Sequence, residues 1–270
     1  MSDTADNYLF LGLPGSGKTT YFSIMAQHLQ NTTNRTKNMK FMFLPTEIRD
    51  KESGKIVKLE ENTSEFIADC ISRLKKQRWP LKTQGYDVGY SFELIRYLSL
   101  FGKPMLQQFC YRRAIIDYHD YPGEAFTAAF GEEDSTSDMN NIANDIKRRI
   151  KSAKGLFLIL DAVALFNGTD SEMQLLSLTT MFRYIKNHNP NIKLAIIFNK
   201  LELFYGELPN LITILRKDYG NVYANLPLNH KFFHVYPLGS VETGDKGEIK
   251  PPKVIVPKDI LEPVKWMIGF

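Results

Sequence analysis

Tyr8-Leu9-Phe10-Leu11-Gly12-Leu13-Pro14-Gly15-Ser16-Gly17-Lys18-Thr19-Thr20 is the stretch on which the fold turns. Its first half is a nearly continuous apolar run, as suits a strand covered on both faces. From Gly12 to Thr19 it satisfies G-x-x-x-x-G-K-[ST], and a helix opens near Lys18. Strand, Gly-rich turn and helix is the context in which this pattern cradles phosphate. The glycines let backbone N–H groups approach an anion, and the positive end of the helix faces it. On this reading Gly12, Pro14, Gly15, Ser16, Gly17 and Thr20 shape the loop. Lys18 reaches the β- and γ-phosphates, and the Thr19 hydroxyl binds Mg²⁺. The competing reading is a Gly-rich turn with no ligand.

The rest of the chain fits around that unit. It has 270 residues, 43% hydrophobic and 24% charged, which excludes a disordered chain and allows a sizeable core. The net charge of +4 is too small to make nucleic acid the default partner. Two cysteines, Cys70 and Cys110, cannot build a disulfide framework or a zinc site, so a reducing, cytoplasmic compartment is expected. No apolar run approaches the length of a membrane span, and the N-terminus lacks the pattern of a signal peptide.

Strands are expected at 8–13, near 90–98, and at 113–118, 156–160, 194–198 and 232–236. Helices fall between them: one from Lys18, one through Phe66, Ile67, Cys70, Ile71 and Leu74, one through Met139, Ile142, Ile146 and Ile150, then 172–186, 209–217 and a last one at the C-terminus. Alternation of strands and helices predicts a single α/β domain over 1–270 with a mostly parallel, six-stranded sheet. Residues 31–40 and 49–64 read as polar loops, and 243–253 as a stretch broken by Gly and Pro.

A phosphate loop does not choose among kinases, ATPases and GTPases, and later residues do. Asp120-Tyr121-Pro122-Gly123 follows the third strand. Asn199-Lys200-Leu201-Glu202 ends the fifth. The first resembles the D-x-x-G motif of Ras-like and translation-factor GTPases, and the second resembles their N-K-x-D motif with Glu in place of Asp. Gly239-Ser240-Val241 stands where the last base-contacting loop of that class falls. Four motifs thus occur in the order of the class. The Asp120–Glu124 wording, the long segment before it and the Leu261-Glu262-Pro263 ending look like the bacterial double-GTPase group associated with multigene conflict systems.

The resemblance implies a three-layer P-loop NTPase fold, GTP or GDP as ligand, and hydrolysis with Mg²⁺ as a regulatory switch acting on a protein effector. Asp120 would join Thr19 at the metal, and the Gly123 amide would meet the γ-phosphate. Asn199, Lys200 and Glu202 would read the base, with Ser240 and Val241 beside it. Glu124 occupies the place of the group that orients attacking water, although a helix start with an acidic first turn explains it as well. The chain departs from the compact members of the class in the long stretch between Lys18 and Asp120. An inserted lobe and switch region over 31–88, between the first helix and the second strand, accounts for it. Within it Thr83 stands in the order expected of the switch threonine that closes on metal and γ-phosphate. The rival readings are a P-loop kinase of a small molecule, which leaves the Asn199–Glu202 motif unexplained, and a scaffold that binds nucleotide without turnover. His119 and His234 read as structural, Asp117 as facing away from the metal, and the Lys147–Lys151 basic run as a solvated helix face or, alternatively, a surface for phosphate or an acidic partner.

Overall fold

The computed structural model describes residues 5–35, 39–49, 56–81, 88–97, 99–100, 103–104, 110–119, 121, 123–131, 137–169, 172–204 and 207–269. Nine strands form one sheet: β1 Asp6–Gly12, β2 Met39–Phe43, β3 Pro45–Arg49, β4 Ile56–Asn62, β5 Val88–Tyr97, β6 Cys110–His119, β7 Gly155–Asp161, β8 Lys193–Asn199 and β9 His230–His234. Their spatial order is β9-β8-β7-β1-β6-β5-β3-β4, and β2 also pairs with β5. From β9 to β6 every neighbour is parallel, whereas β5, β2, β3 and β4 join antiparallel.

The sheet has nine strands where the sequence predicts six. All six expected strands are present, and all but β5 run parallel. The other three lie within 39–62, much of which reads as polar loop. The reason is their place at the rim. Strand β3 opens on Pro45, and β4 carries Lys58, Glu60 and Glu61. Proline and charge blunt a free edge, and they also erase the apolar run that marks a central strand.

Alternation along β1 divides the core between two helical layers. Leu9 and Leu11 face one layer: α3 Gly123–Phe130, α4 Ser137–Ser152, α5 Ala162–Asn167, α6 Glu172–His188, α7 Leu211–Asp218 and α8 Gly220–Ala224. Tyr8 and Phe10 face the other, built from α1 Lys18–Thr33, α2 Thr63–Lys75 and α9 Glu262–Ile268. This second layer is rich in rings. Phe10 lies 4.6 Å from Phe157 and 5.6 Å from Phe22, centroid to centroid, distances at which aromatic pairs attract beyond their area. Tyr21 donates its hydroxyl to the Ile260 carbonyl at 3.0 Å, which ties α1 to the C-terminal segment.

The start of α2 is anchored on the sheet. Its Thr63 amide donates to Leu44 O at 3.1 Å, and Thr63 Oγ1 accepts from the Ser91 amide at 3.0 Å. Phe66 stacks on Tyr90 of β5 with centroids 3.7 Å apart. On the opposite layer the basic run of α4 keeps Arg148 and Lys151 exposed, as a solvated face would, while Arg149 turns in. Asp145, buried against the sheet, accepts from Arg149 Nε at 2.7 Å, from Arg148, and from the Tyr121 hydroxyl at 3.2 Å.

Burial pushes the Asp145 carboxyl up, but the Arg148 and Arg149 guanidiniums outweigh it and hold it at about 2 against an ordinary 3.8. A depressed carboxylate contributes stability that is present above its unfolded value and is lost as pH falls through the folded one. Denaturant midpoints should therefore drop between about pH 4 and about pH 2. In Asp145→Asn the midpoint should be lower at neutral pH and the drop shallower, which a midpoint series across that range checks.

Candidate active site

The parallel register brings three strand ends together. Gly12 at the end of β1 lies opposite Ile159 of β7, and Asn199 at the end of β8 lies opposite Asp161 of β7. Ligand sites of open parallel sheets gather beyond such ends.

After β1 the chain makes its glycine turn. Gly15 and Gly17 have φ of 73° and 80°, a left-handed conformation that suits residues without a Cβ. A Cβ on Gly17 would also stand 2.5 Å from Asn199 Nδ2. The Ser16 amide donates to Leu13 O at 3.2 Å, and Lys18 Nζ bends back to the same carbonyl at 3.1 Å. The first turn of α1 carries no side-chain cap and no acidic residue. Its N–H groups and the positive end of the helix therefore face the space beyond the loop. Thr19 Oγ1 lies 2.8 Å from the hydroxyl of Tyr118, a fully buried residue of β6.

From the other side comes the turn after β8. Asn199 Nδ2 donates to Ser16 O across 2.7 Å in a buried bond. Lys200 takes a left-handed φ of 65° and pairs with Asp161 Oδ2 at 2.5 Å. Asp161 also caps α5 by accepting from the Val163 and Ala164 amides. Glu202 sits in a short 3-10 turn and accepts from the Leu238 amide at 3.3 Å. Burial pushes its carboxyl up, and the Leu238 amide and Lys200 pull the other way.

Together these loops enclose a cleft of about 550 Å³. Pro14, Gly15, Gly17, Lys18, Thr19 and Thr20 form its phosphate-loop side, and Asn199, Lys200 and Glu202 its other end. Among the described residues, Ser16 Oγ, Ser23 Oγ, Asn199 Oδ1 and Glu202 Oε2 are buried with no hydrogen-bond partner. Such an atom costs about 1–3 kcal/mol. Asn199 and Glu202 line the cleft, so two of these atoms stand at its edge, whereas Ser16 Oγ turns back toward Gly12 and Ser23 Oγ lies within α1.

Other expected residues are placed differently. Gly123 opens α3 and Glu124 follows it, but the Glu124 side chain, Asp120 and Thr83 lie outside the described residues. Ser240 and Val241 do not line the cleft. Pro237 and Leu238 do, and Val241 packs against the α1 layer. Asp117 faces the α4 layer beside Arg149, lining a separate polar cavity of about 260 Å³, where burial pushes its carboxyl up. His119 stacks on Tyr121 with centroids 5.3 Å apart. His234 is half-buried against Phe198, and burial lowers its pKa. Sequence reasoning missed Trp79, Pro80, Leu81 and Ile249, which form a further wall. The local hint of it is a Trp followed by Pro at 79–80, just past the α2 pattern.

No protein-family model matches the chain, and no curated protein does. Among solved structures it is similar to the signal recognition particle receptor SRb-GTP/SRX complex from Chaetomium thermophilum. There the identity is 14%, the match covers 88% of this chain and 94% of that one, and the TM-score is 0.40. It is also similar to the Arl6 (BBS3) small GTPase from Trypanosoma brucei bound to the nucleotide analogue GppNp. The identity is 12%, with 98% and 95% covered and a TM-score of 0.41. Both similarities are distant, and neither decides the chemistry of the site.

The bond between Asn199 and Ser16 makes a direct demand. Asn199→Ala removes the donor and leaves the Ser16 carbonyl buried and unpaired, at a cost of about 1–3 kcal/mol. A fall of that size in unfolding free energy, with native circular dichroism retained, is the expected result of denaturant titration.

Proposed function

We propose that the chain binds GTP in this cleft with Mg²⁺, hydrolyses it to GDP and phosphate, and works as a regulatory switch. The observation that carries this reading is the set of unpaired atoms. Asn199 Oδ1 and, in its ionised form, Glu202 Oε2 are acceptors at one end of the cleft, which suits a ligand that brings N–H donors there. Guanine presents an N1–H and an N2 amino group on one edge, whereas adenine presents a single amino group beside an acceptor. At the other end the loop amides, the α1 terminus and Lys18 suit a phosphate chain.

Mg²⁺ is characteristically held by one or two protein oxygens together with phosphate oxygens. The Thr19 hydroxyl, which lines the cleft, and Asp120, which follows β6 in the sequence, would hold the cation, and Thr83 would join them in the triphosphate state. The cation, when bound, neutralises charge on the β- and γ-phosphates. Lys18 holds the phosphates and Glu124, at the start of α3, orients water. Chemistry of this type is mainly positioning and charge stabilisation. The 31–88 segment acts as the inserted lobe and switch region of a single domain, and a protein effector reads its state. Cys70 is buried, and the setting we favour is a reducing, cytoplasmic one. The double-GTPase group is the finer placement we favour within the Ras-like and translation-factor class.

Titration calorimetry tests the site. GTP and GDP should bind, ATP should bind up to about 10⁴-fold more weakly because it leaves polar groups unpaired, and Lys18→Ala should abolish the phosphate contribution. Equal affinity for ATP and GTP, or Lys18→Ala binding as wild type does, would overturn the reading. Phosphate release without an added acceptor separates a GTPase from a kinase, and retention of GTP without release marks a scaffold.

Thr83 makes a separate demand. Thr83→Ala should leave GDP affinity nearly unchanged while slowing hydrolysis. Hydrogen exchange over 78–86 should be slower with a GTP analogue than with GDP in the wild type, and equal in the variant.

A further inference from the structure

Residues 77–79, just past the end of α2, are fastened to a hairpin far along the chain. Gln77 Nε2 donates to Glu242 Oε2 at 2.8 Å and to Pro251 O at 3.3 Å. Trp79 Nε1 donates to Ile249 O at 3.2 Å. The second oxygen of Glu242 accepts from the Lys253 amide at 2.8 Å, so one carboxylate grips both the 77–79 segment and the hairpin. Glu242–Thr243 pairs antiparallel with Ile249–Lys250 to complete the hairpin.

The two fastened segments converge on the cleft. Trp79 and Ile249 line it, as does Leu81, and they are respectively 44%, 40% and 70% exposed. Large apolar side chains left open around one cleft mark a place where something apolar is received. The indole spends its N–H on a backbone carbonyl, which fixes its plane and leaves its face for a flat partner. Lys200 lines the same cleft, and its stem passes Gly17.

We propose that Trp79 is a base-contacting residue of this cleft, and that Glu242 is the positioning residue that holds it there through Gln77 and the hairpin. The ligand class is the purine ring of a nucleoside di- or triphosphate, received between the indole and the Lys200 stem. The proposal rests on the nucleotide reading above and adds a wall built by two segments outside its motifs.

The chain has two tryptophans. Trp266 packs on Phe233 and under Lys193 and does not line the cleft. Trp266→Phe therefore leaves Trp79 as the sole indole reporter. Adding GDP to that protein should change Trp79 emission, with binding confirmed independently by calorimetry. Trp79→Ala should speed GDP release about tenfold, within the range for a base stacked on an aromatic ring, and Trp79→Phe should restore most of the loss. In the Trp266→Phe background, Glu242→Ala should shrink the emission change and speed release a few-fold, with association changed by less than about twofold. Trp79 and Glu242 are surface groups, and unchanged melting temperatures of the variants confirm that the fold is kept. GDP binding by calorimetry with no emission change, and with release from Trp79→Ala at the wild-type rate, would overturn the proposal while leaving the nucleotide reading intact. Release from Glu242→Ala at the wild-type rate would overturn the positioning role alone. Absence of any GDP binding to the wild type would overturn both readings.

Discussion

One buried hydrogen bond holds the site together. The Asn199 amide reaches across to the Ser16 carbonyl and joins two loops 183 positions apart in the chain. It exists only because Gly17 leaves room for it, and because β1, β7 and β8 are in a register that ends them at the same level. A slip of one residue in any of these strands would turn its side chains to the other face and carry the loops apart. The continuous apolar filling of β7 and β8 resists such a slip. Packing in the sheet and geometry in the site are thus one constraint seen at two distances.

The same contact explains which parts of the molecule were legible. The phosphate loop and the Asn199 turn are marked locally, by glycines in left-handed conformations and by strands apolar throughout. Their meeting follows from parallel order alone. The rim strands β3 and β4 carry no such mark, because an edge needs charge and proline where a centre needs valine and leucine. The loop after β9 was less legible for a different reason. Gly239-Ser240-Val241 has the right small residues, but the chain turns earlier. Tyr236 exchanges two backbone bonds with Lys258, at 3.1 and 3.0 Å, and Leu238 accepts from the Val256 amide at 3.3 Å. That pairing with a segment twenty residues on sets Pro237 and Leu238 at the cleft and carries Val241 onto the core behind it. No pattern within 232–241 announces a partner at 256–258.

Charge is arranged with similar economy. Lys200 is neutralised by Asp161, so what it offers the cleft is chiefly a stem. Asp161 in turn is fixed by the first amides of α5. Lys18 is curled to the loop carbonyl, which places its ammonium beside the amides that face the same space. Dipoles fixed in advance cost no rearrangement when an anion arrives.

The long segment between α1 and β5 contributes to the site from both ends of a single helix. At the start of α2, Phe66 stacks on Tyr90, Tyr90 lies 6.1 Å from Tyr118, and the Tyr118 hydroxyl meets Thr19. Past its end come Gln77 and Trp79, fastened to the hairpin on the far wall of the cleft. Strand β5 is keyed to β6 at the last step before Asp120, where Gly89 makes room for the His119 ring; a Cβ there would stand 2.5 Å from its Cε1. Each of these contacts pins the segment against a group of the cleft or of the strand that leads to it. A helix of 13 residues spans about 20 Å, so these two sets of contacts hold the segment at well-separated points. The segment that most lengthens this chain is therefore also the one whose position is fixed by contacts at both ends of its site.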